Sequence, residues 1–142
     1  TSDQETLTMV LVEDNPRDAV LFRRAMQRAR DGIEVAHAST GEAGLVLLEN
    51  ETNRFDLVFL DLNLPQMSGL AVLKRIKSQV YLRGMPVMIL SGSEAPGDVE
   101  EAYGNFATGY MVKPTTLDGY DELAGFVVRS WFGIMKMPST RT

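Results

Sequence analysis

The chain has 142 residues, no cysteine and a formal charge of −5 at pH 7. That length suits one domain with its own hydrophobic core, and the missing cysteines exclude a disulfide framework, a thiolate zinc site and a thiol nucleophile, in keeping with a reducing cytoplasm. The acidic balance argues against a nucleic-acid-binding domain, no apolar run approaches the ~20 residues of a membrane span, and Thr1 to Thr6 lack the apolar core of a signal peptide.

Met9-Val10-Leu11-Val12 is wholly apolar and stops at Glu13-Asp14, as a parallel strand buried on both faces would. Asn15-Pro16 then starts a helix, with Asn as cap and Pro at the first helical position. Ala19, Phe22, Met26 and Ala29 give it an apolar stripe, and Gly32 closes it. Ile33 to Ala38 reads as a second strand. Thr40-Gly41-Glu42 opens a second helix with Ala43, Leu47 and Leu48 facing inward. Asp56 to Leu60 is a third strand ending at Asp61, followed by a loop or helix entry from Pro65 to Gly69. Leu70, Leu73, Ile76 and Lys77 carry a third helix to about Val80. Pro86 to Leu90 is a fourth strand ending at Ser91, and Ala95 to Gly104 a short acidic helix. Gly109 to Val112 is a fifth strand ending at Lys113. Leu117 to about Ile134 is the last helix. The domain is expected over residues 7–136, with short tails at 1–6 and 137–142 and no room for an output domain.

Five strands alternating with five helices imply an α/β fold with a parallel sheet. In such a sheet ligands bind beyond the carboxyl ends of the strands. The residues there are Glu13, Asp14, Asp61, Ser91 and Lys113. Three carboxylates at one sheet edge repel one another, and a divalent cation relieves that more cheaply than shared protons do. Hard oxygen donors suit Mg2+ or Mn2+. Asp14 and Asp61 are the expected direct ligands, with Glu13 acting through water and the backbone carbonyl of Asn63 as a further oxygen. Lys113 offers a point charge and Ser91 a hydroxyl to phosphoryl oxygens. Asp61, at the end of a buried strand and before a Pro/Gly-bearing loop, is the expected nucleophile, forming an aspartyl phosphate.

The segments Val12-Glu13-Asp14-Asn15, Leu60-Asp61-Leu62-Asn63-Leu64-Pro65 through Ser68-Gly69, Leu90-Ser91-Gly92-Ser93 and Lys113-Pro114 together resemble the receiver domain of two-component response regulators, over about Leu7 to Phe132. The resemblance implies a flavodoxin-like (βα)5 doubly wound sandwich with strand order 2-1-3-4-5. It implies Asp61 as phosphoacceptor, Glu13 and Asp14 as the acidic pair, Ser91 and Lys113 as the conserved hydroxyl and lysine, and a cis Lys113–Pro114 peptide. Tyr110 takes the switch-aromatic position. Ser91 and Tyr110 then move together and alter the face of the fourth helix, fifth strand and fifth helix. The implied phosphodonor is a sensor histidine kinase. Output runs through an unidentified downstream protein or onward phosphotransfer in a relay, with no nucleic acid or membrane. The protein is then a signalling receiver, not an enzyme in the metabolic sense, that assists its own phosphorylation and dephosphorylation.

Glu13-Asp14-Asn15-Pro16 with Asp18, Lys113-Pro114-Thr115 with Leu117-Asp118-Gly119, and Trp131-Phe132 before Met137-Pro138 more narrowly resemble the stand-alone regulators paired with phytochromes. That implies a light-sensing kinase and a homodimer. Trp131, Phe132, Ile134, Met135 and Met137 either finish the core or form the dimer patch. Arg17, Arg23, Arg24, Arg28 and Arg30 on the first helix are either a solvated face or a steering surface for an acidic kinase. His37, the single histidine, is expected away from the site. A haloacid-dehalogenase-type phosphatase needs an acid two residues after the nucleophile, where this chain has Asn63. A dinucleotide fold needs a glycine-rich turn after the first strand, which is missing.

Overall fold

The computed structural model describes residues 5–51 and 53–134. The apolar run forms β1, Leu7–Val12, with all six residues buried. It is followed by α1 (Pro16–Ala29), β2 (Ile33–Ala38), α2 (Gly41–Asn50), β3 (Leu57–Leu60), α3 (Gly69–Ser78), β4 (Val87–Ser91), α4 (Pro96–Gly104), β5 (Gly109–Val112) and α5 (Leu117–Arg129). One π-helical turn, Ser130–Ile134, completes the described chain. The strands form one parallel sheet in the order β2-β1-β3-β4-β5, as expected.

Alternation along β1 sorts the core into two layers. Leu7, Met9 and Leu11 face a cluster built with Phe22 and Met26 of α1 and Leu123 and Val127 of α5. Val10 and Val12 face the other side, with Leu45 and Leu48 of α2, Val72, Leu73 and Ile76 of α3, and Ala102 of α4. Each face of the central strands is therefore covered, which is why β1 and β3 read as continuous apolar runs. Phe22 meets Phe59 edge-on across the first layer, with centroids 5.0 Å apart.

The helix starts are set by side-chain caps. Asn15 Oδ1 accepts from the Arg17 and Asp18 N–H groups at 2.9 and 3.1 Å. Thr40, Ser68 and Thr116 cap α2, α3 and α5 through the N–H groups of Ala43, Ala71 and Gly119. Gly32, at φ +85, turns the chain from α1 into β2 in the left-handed region that glycine enters without strain.

Several boundaries and faces differ from the sequence reading. Ala25, not Ala29, completes the buried stripe of α1, because α1 ends at Ala29 and that residue already lies exposed. On α2 the buried residues are Gly41, Gly44, Leu45 and Leu48, while Ala43 is exposed and Leu47 half-buried. A Cβ on Gly44 would lie 2.7 Å from a Val12 methyl. The helix rests on β1 through that glycine, which rotates its inner face away from Ala43. Asp56 precedes β3 rather than starting it; its carboxylate accepts from the Thr8 N–H at 2.9 Å. The third helix stops at Ser78, and the last at Arg129. Trp131 and Phe132 pack half-buried against the first layer, and the Arg30 guanidinium sits 3.8 Å over the Phe132 ring. The expectations for Met135, Met137 and the tails at 1–4 and 137–142 lie outside the described residues.

Candidate functional site

At the carboxyl edge of the sheet, β1 delivers Glu13 and Asp14, β3 delivers Asp61, β4 ends on Ser91 and β5 delivers Lys113. The register is carried on past the strands by backbone bonds. Glu13 N–H donates to Ala38 O at 3.0 Å, Asp61 N–H to Val12 O at 3.1 Å, and Lys113 N–H to Ser91 O at 2.7 Å. Glu13, Asp61 and Ser91 are buried, at 1, 4 and 0 % exposure, while Asp14 is exposed.

The Asp61 carboxylate is fixed at both oxygens. Oδ1 accepts from the Asn63 N–H at 3.1 Å, and Oδ2 accepts from Lys113 Nζ at 3.0 Å. The loop that follows folds back tightly enough for Gly69 N–H to donate to Leu62 O at 3.0 Å. A Cβ at Gly69 would stand 2.0 Å from Asp61 O and 2.6 Å from Leu62 Cα. Glycine is required there by close backbone approach.

Lys113 Nζ meets three acids: Glu13 Oε1 at 2.8 Å, Asp61 Oδ2 at 3.0 Å and Asp18 Oδ2 at 3.4 Å. Burial alone would lower the lysine's pKa, but the hydrogen bonds to Glu13 and Asp61 outweigh it and the net direction is up. The Glu13 carboxyl is pushed from 4.5 up to about 7. Burial is the main cause, and the bonds from Lys113 and the Asn15 N–H only partly oppose it. One cation thus serves a cluster whose negative charge it does not balance.

Oxygen atoms of Glu13, Asp14 and Asp61 lie within 4.8 Å of one another. All are hard carboxylate donors, two of them buried, so the set fits an oxygen-seeking divalent cation such as Mg2+ or Mn2+. Among the described residues this is the group of acids with such spacing. Asn63 sits at the rim, exposed, with its N–H turned to Asp61.

Ser91 Oγ accepts from the Ser93 N–H at 3.2 Å, so here the hydroxyl stabilises the turn after β4. Tyr110, half-buried on β5, donates its hydroxyl to Ser93 O at 2.9 Å. The Lys113–Pro114 peptide is trans, against the expectation of cis. Trans is the preferred isomer even before proline, and the lysine reaches Asp61 from it.

Three neighbours were not placed at the site by the sequence. Asp18 belongs to the first turn of α1, where an acid is expected for the helix dipole alone. His37 is not remote: its Nε2 lies 2.7 Å from Glu13 O. A carbonyl only accepts, so Nε2 carries the proton. Register explains this, since His37 pairs with Leu11 on the adjacent strand, two residues before Glu13. Tyr120 of α5 is 1 % exposed, and its hydroxyl has no hydrogen-bond partner among the described residues. Burial first, then the charge of Asp18, push its phenol up.

The family profile of the response regulator receiver domain matches residues 9–123. The probable methanogenesis regulatory protein FilR2 of Methanothrix harundinacea is 31 % identical over 139 residues, covering 95 % of this chain and 90 % of that protein. The crystal structure of the phosphorylated cyanobacterial phytochrome response regulator RcpA superposes with a TM-score of 0.87 at 29 % identity, covering 95 % of this chain and 100 % of that one. The Mn2+-bound response regulator Rcp1 superposes with a TM-score of 0.82 at 27 % identity, covering 93 % and 99 %.

Proposed function

The chain belongs to the response regulator receiver domain family, and on that premise we propose that it is a divalent-dependent phosphorylation switch with Asp61 as phosphoacceptor. Members of this family are signalling proteins, not classical enzymes, and interact with histidine kinases. The observation that carries the proposal is the Asp61 carboxylate, buried and held between the Asn63 N–H and the Lys113 ammonium, beside two further acids.

An Asp61 carboxylate oxygen attacks the phosphorus of a phosphohistidine on the kinase. The P–N bond breaks, its electron pair returns to the imidazole, and the phosphoryl group stays on Asp61 as a mixed anhydride. Glu13, Asp14, Asp61 and the Asn63 carbonyl would hold Mg2+ or Mn2+, which when bound neutralises the transferring phosphoryl oxygens. Lys113 pairs with another of those oxygens. Ser91, released from the Ser93 N–H, donates its hydroxyl to a third, and Tyr110 follows. The face of α4, β5 and α5 is thereby the output surface toward a downstream protein. Later attack of water on the phosphorus resets the switch.

The similarity to the phytochrome response regulator RcpA, together with the Glu13-Asp14-Asn15-Pro16 start and Asp18, supports a phytochrome-type kinase as donor; a cytoplasmic, homodimeric regulator is the reading that goes with it. No described helix is long and apolar enough to cross a membrane.

The test is intact mass after acetyl phosphate and Mg2+. Wild type gains one phosphoryl adduct, lost with EDTA, and Asp61→Asn gains none. An adduct that persists in Asp61→Asn overturns the assignment. Transfer from a phytochrome kinase that is no faster than from an unrelated kinase overturns the light-sensing link.

A further inference from the structure

We propose that Asp18 is a positioning residue for Lys113: its carboxylate tethers the ammonium on the α1 side of the acidic cluster, so that the lysine keeps its place beside Asp61 when a divalent cation takes over the Glu13 and Asp61 oxygens. This role rests on the divalent site proposed above.

An ammonium has three donors, and Lys113 spreads them over three carboxylates at 2.8, 3.0 and 3.4 Å. Two of these acids, Glu13 and Asp61, also belong to the group with Asp14 whose oxygens converge within 4.8 Å. A cation seated there draws on two of the lysine's three carboxylates and repels the lysine at short range. Both tethers weaken in one event. Asp18 is outside that group, so its pairing with Lys113 is left in place.

Asp18 is well placed to hold. Its N–H is capped by Asn15 Oδ1 at 3.1 Å, which fixes it in the first turn of α1. Its side chain is 15 % exposed, and its other cation, Arg17, stands 4.0 Å away with a side chain 69 % exposed, a pairing that solvent screens. On the inner side lies the unpartnered, buried hydroxyl of Tyr120. After burial, the negative charge of Asp18 is the next cause that pushes this phenol up, and α1 packs against α5, which carries it. The α1·α5 packing thus supports a charge at the phosphoacceptor.

The experiment is Mn2+ binding without phosphodonor, followed by isothermal titration in wild type, Asp18→Asn, Asp18→Glu, Lys113→Met and the Asp18→Asn/Lys113→Met double variant. Without its tether the lysine falls back on Glu13 and Asp61 and competes with the ion, so Asp18→Asn weakens binding by about tenfold. Asp18→Glu retains most of the affinity. In the Lys113→Met background the same Asp18→Asn change shifts affinity by less than about twofold. If it costs as much there as in wild type, Asp18 acts only through its long-range field and the proposal fails. Should the Lys113→Met variants not fold, the 15N ammonium signal of Lys113 decides: Mg2+ leaves it protected in wild type and exchanging in Asp18→Asn, and equal protection in both overturns the role. A wild type that binds no Mn2+ overturns the divalent site and, with it, this inference.

Discussion

Replacing Lys113 by methionine removes one charge at nearly constant volume and leaves Glu13, Asp61 and Asp18 facing one another. Stripping the partner from a buried ion pair typically costs about 3–5 kcal/mol. Glu13 limits that loss because it escapes by taking up a proton. Its carboxyl is raised from 4.5 to about 7. A raised pKa means that its protonated form adds stability below the unfolded value, and that this is lost as pH rises through the folded one. Lys113 lowers the Glu13 value through a hydrogen bond and through charge, so deleting it moves the loss to higher pH and enlarges it. Near pH 6 Glu13 is neutral in both proteins, and the variant loses only its half-buried contacts to Asp61 and Asp18, about 1 kcal/mol. Near pH 8.5 the loss reaches about 3 kcal/mol, or roughly 10 °C in melting temperature. Saturating Mg2+ recovers most of it, since the ion binds the folded state alone. Urea unfolding followed by circular dichroism at both pH values, with EDTA and with Mg2+, measures each quantity. Equal stability of variant and wild type near pH 8.5, or a larger loss near pH 6, would refute the account of Lys113 as the counter-charge of this cluster.

The same Glu13 shift makes cation binding pH-dependent: Mn2+ affinity falls below the Glu13 value of about 7, approaching tenfold per pH unit as the ion must displace one proton. Glu13→Gln should bind more weakly at pH 8 and show a flatter profile by titration calorimetry. Gly69→Ala forces a methyl to within 2.0 Å of Asp61 O, so overpacking costs about 1–3 kcal/mol or more and the phosphorylation rate with acetyl phosphate drops with it. Tyr110→Phe deletes the 2.9 Å bond to Ser93 O and should cost about 1 kcal/mol in urea unfolding, with Asp61 still phosphorylated by acetyl phosphate.

Much of this arrangement is legible in the sequence because the strands are short, apolar on both faces and stop at charged residues. Val12 to Glu13, Leu60 to Asp61 and Val112 to Lys113 each mark a strand end, and a parallel sheet brings all such ends to one edge. What escaped is whatever depends on rotation or register. Periodicity puts Ala43 on the inner face of α2 because it does not reveal that Gly41 and Gly44 let the helix sit directly on Val72 and Val12. Linear distance sets His37 apart from the site because it conceals the pairing of β1 with β2 that carries the ring to Glu13 O. Asp18 meets Lys113 because α1 packs beside the end of β5, and no local pattern on the helix announces that contact.

The bonds beyond β4 give the site a physical route to the surface. Ser91 Oγ accepts from Ser93 N–H, Ser93 Oγ donates to Asp98 at the start of α4, and Ser93 O accepts from Tyr110. One residue, Ser93, therefore ties the β4 end, the first turn of α4 and the β5 aromatic together. Turning the Ser91 hydroxyl toward a phosphoryl oxygen on Asp61 gives up the first of these bonds and loosens the third. Each is a neutral or weakly assisted bond worth about 1 kcal/mol, whereas a hydroxyl donating to a phosphoryl anion gains about 1.5–3 kcal/mol. On the proposed phosphoacceptor role of Asp61, the two arrangements would be close enough in free energy for one phosphoryl charge to select between them, a shift of population. Because Lys113 N–H is bonded to Ser91 O, the proposed sensor of a phosphoryl charge at Asp61 and the lysine that already pairs with Asp61 are joined through the backbone.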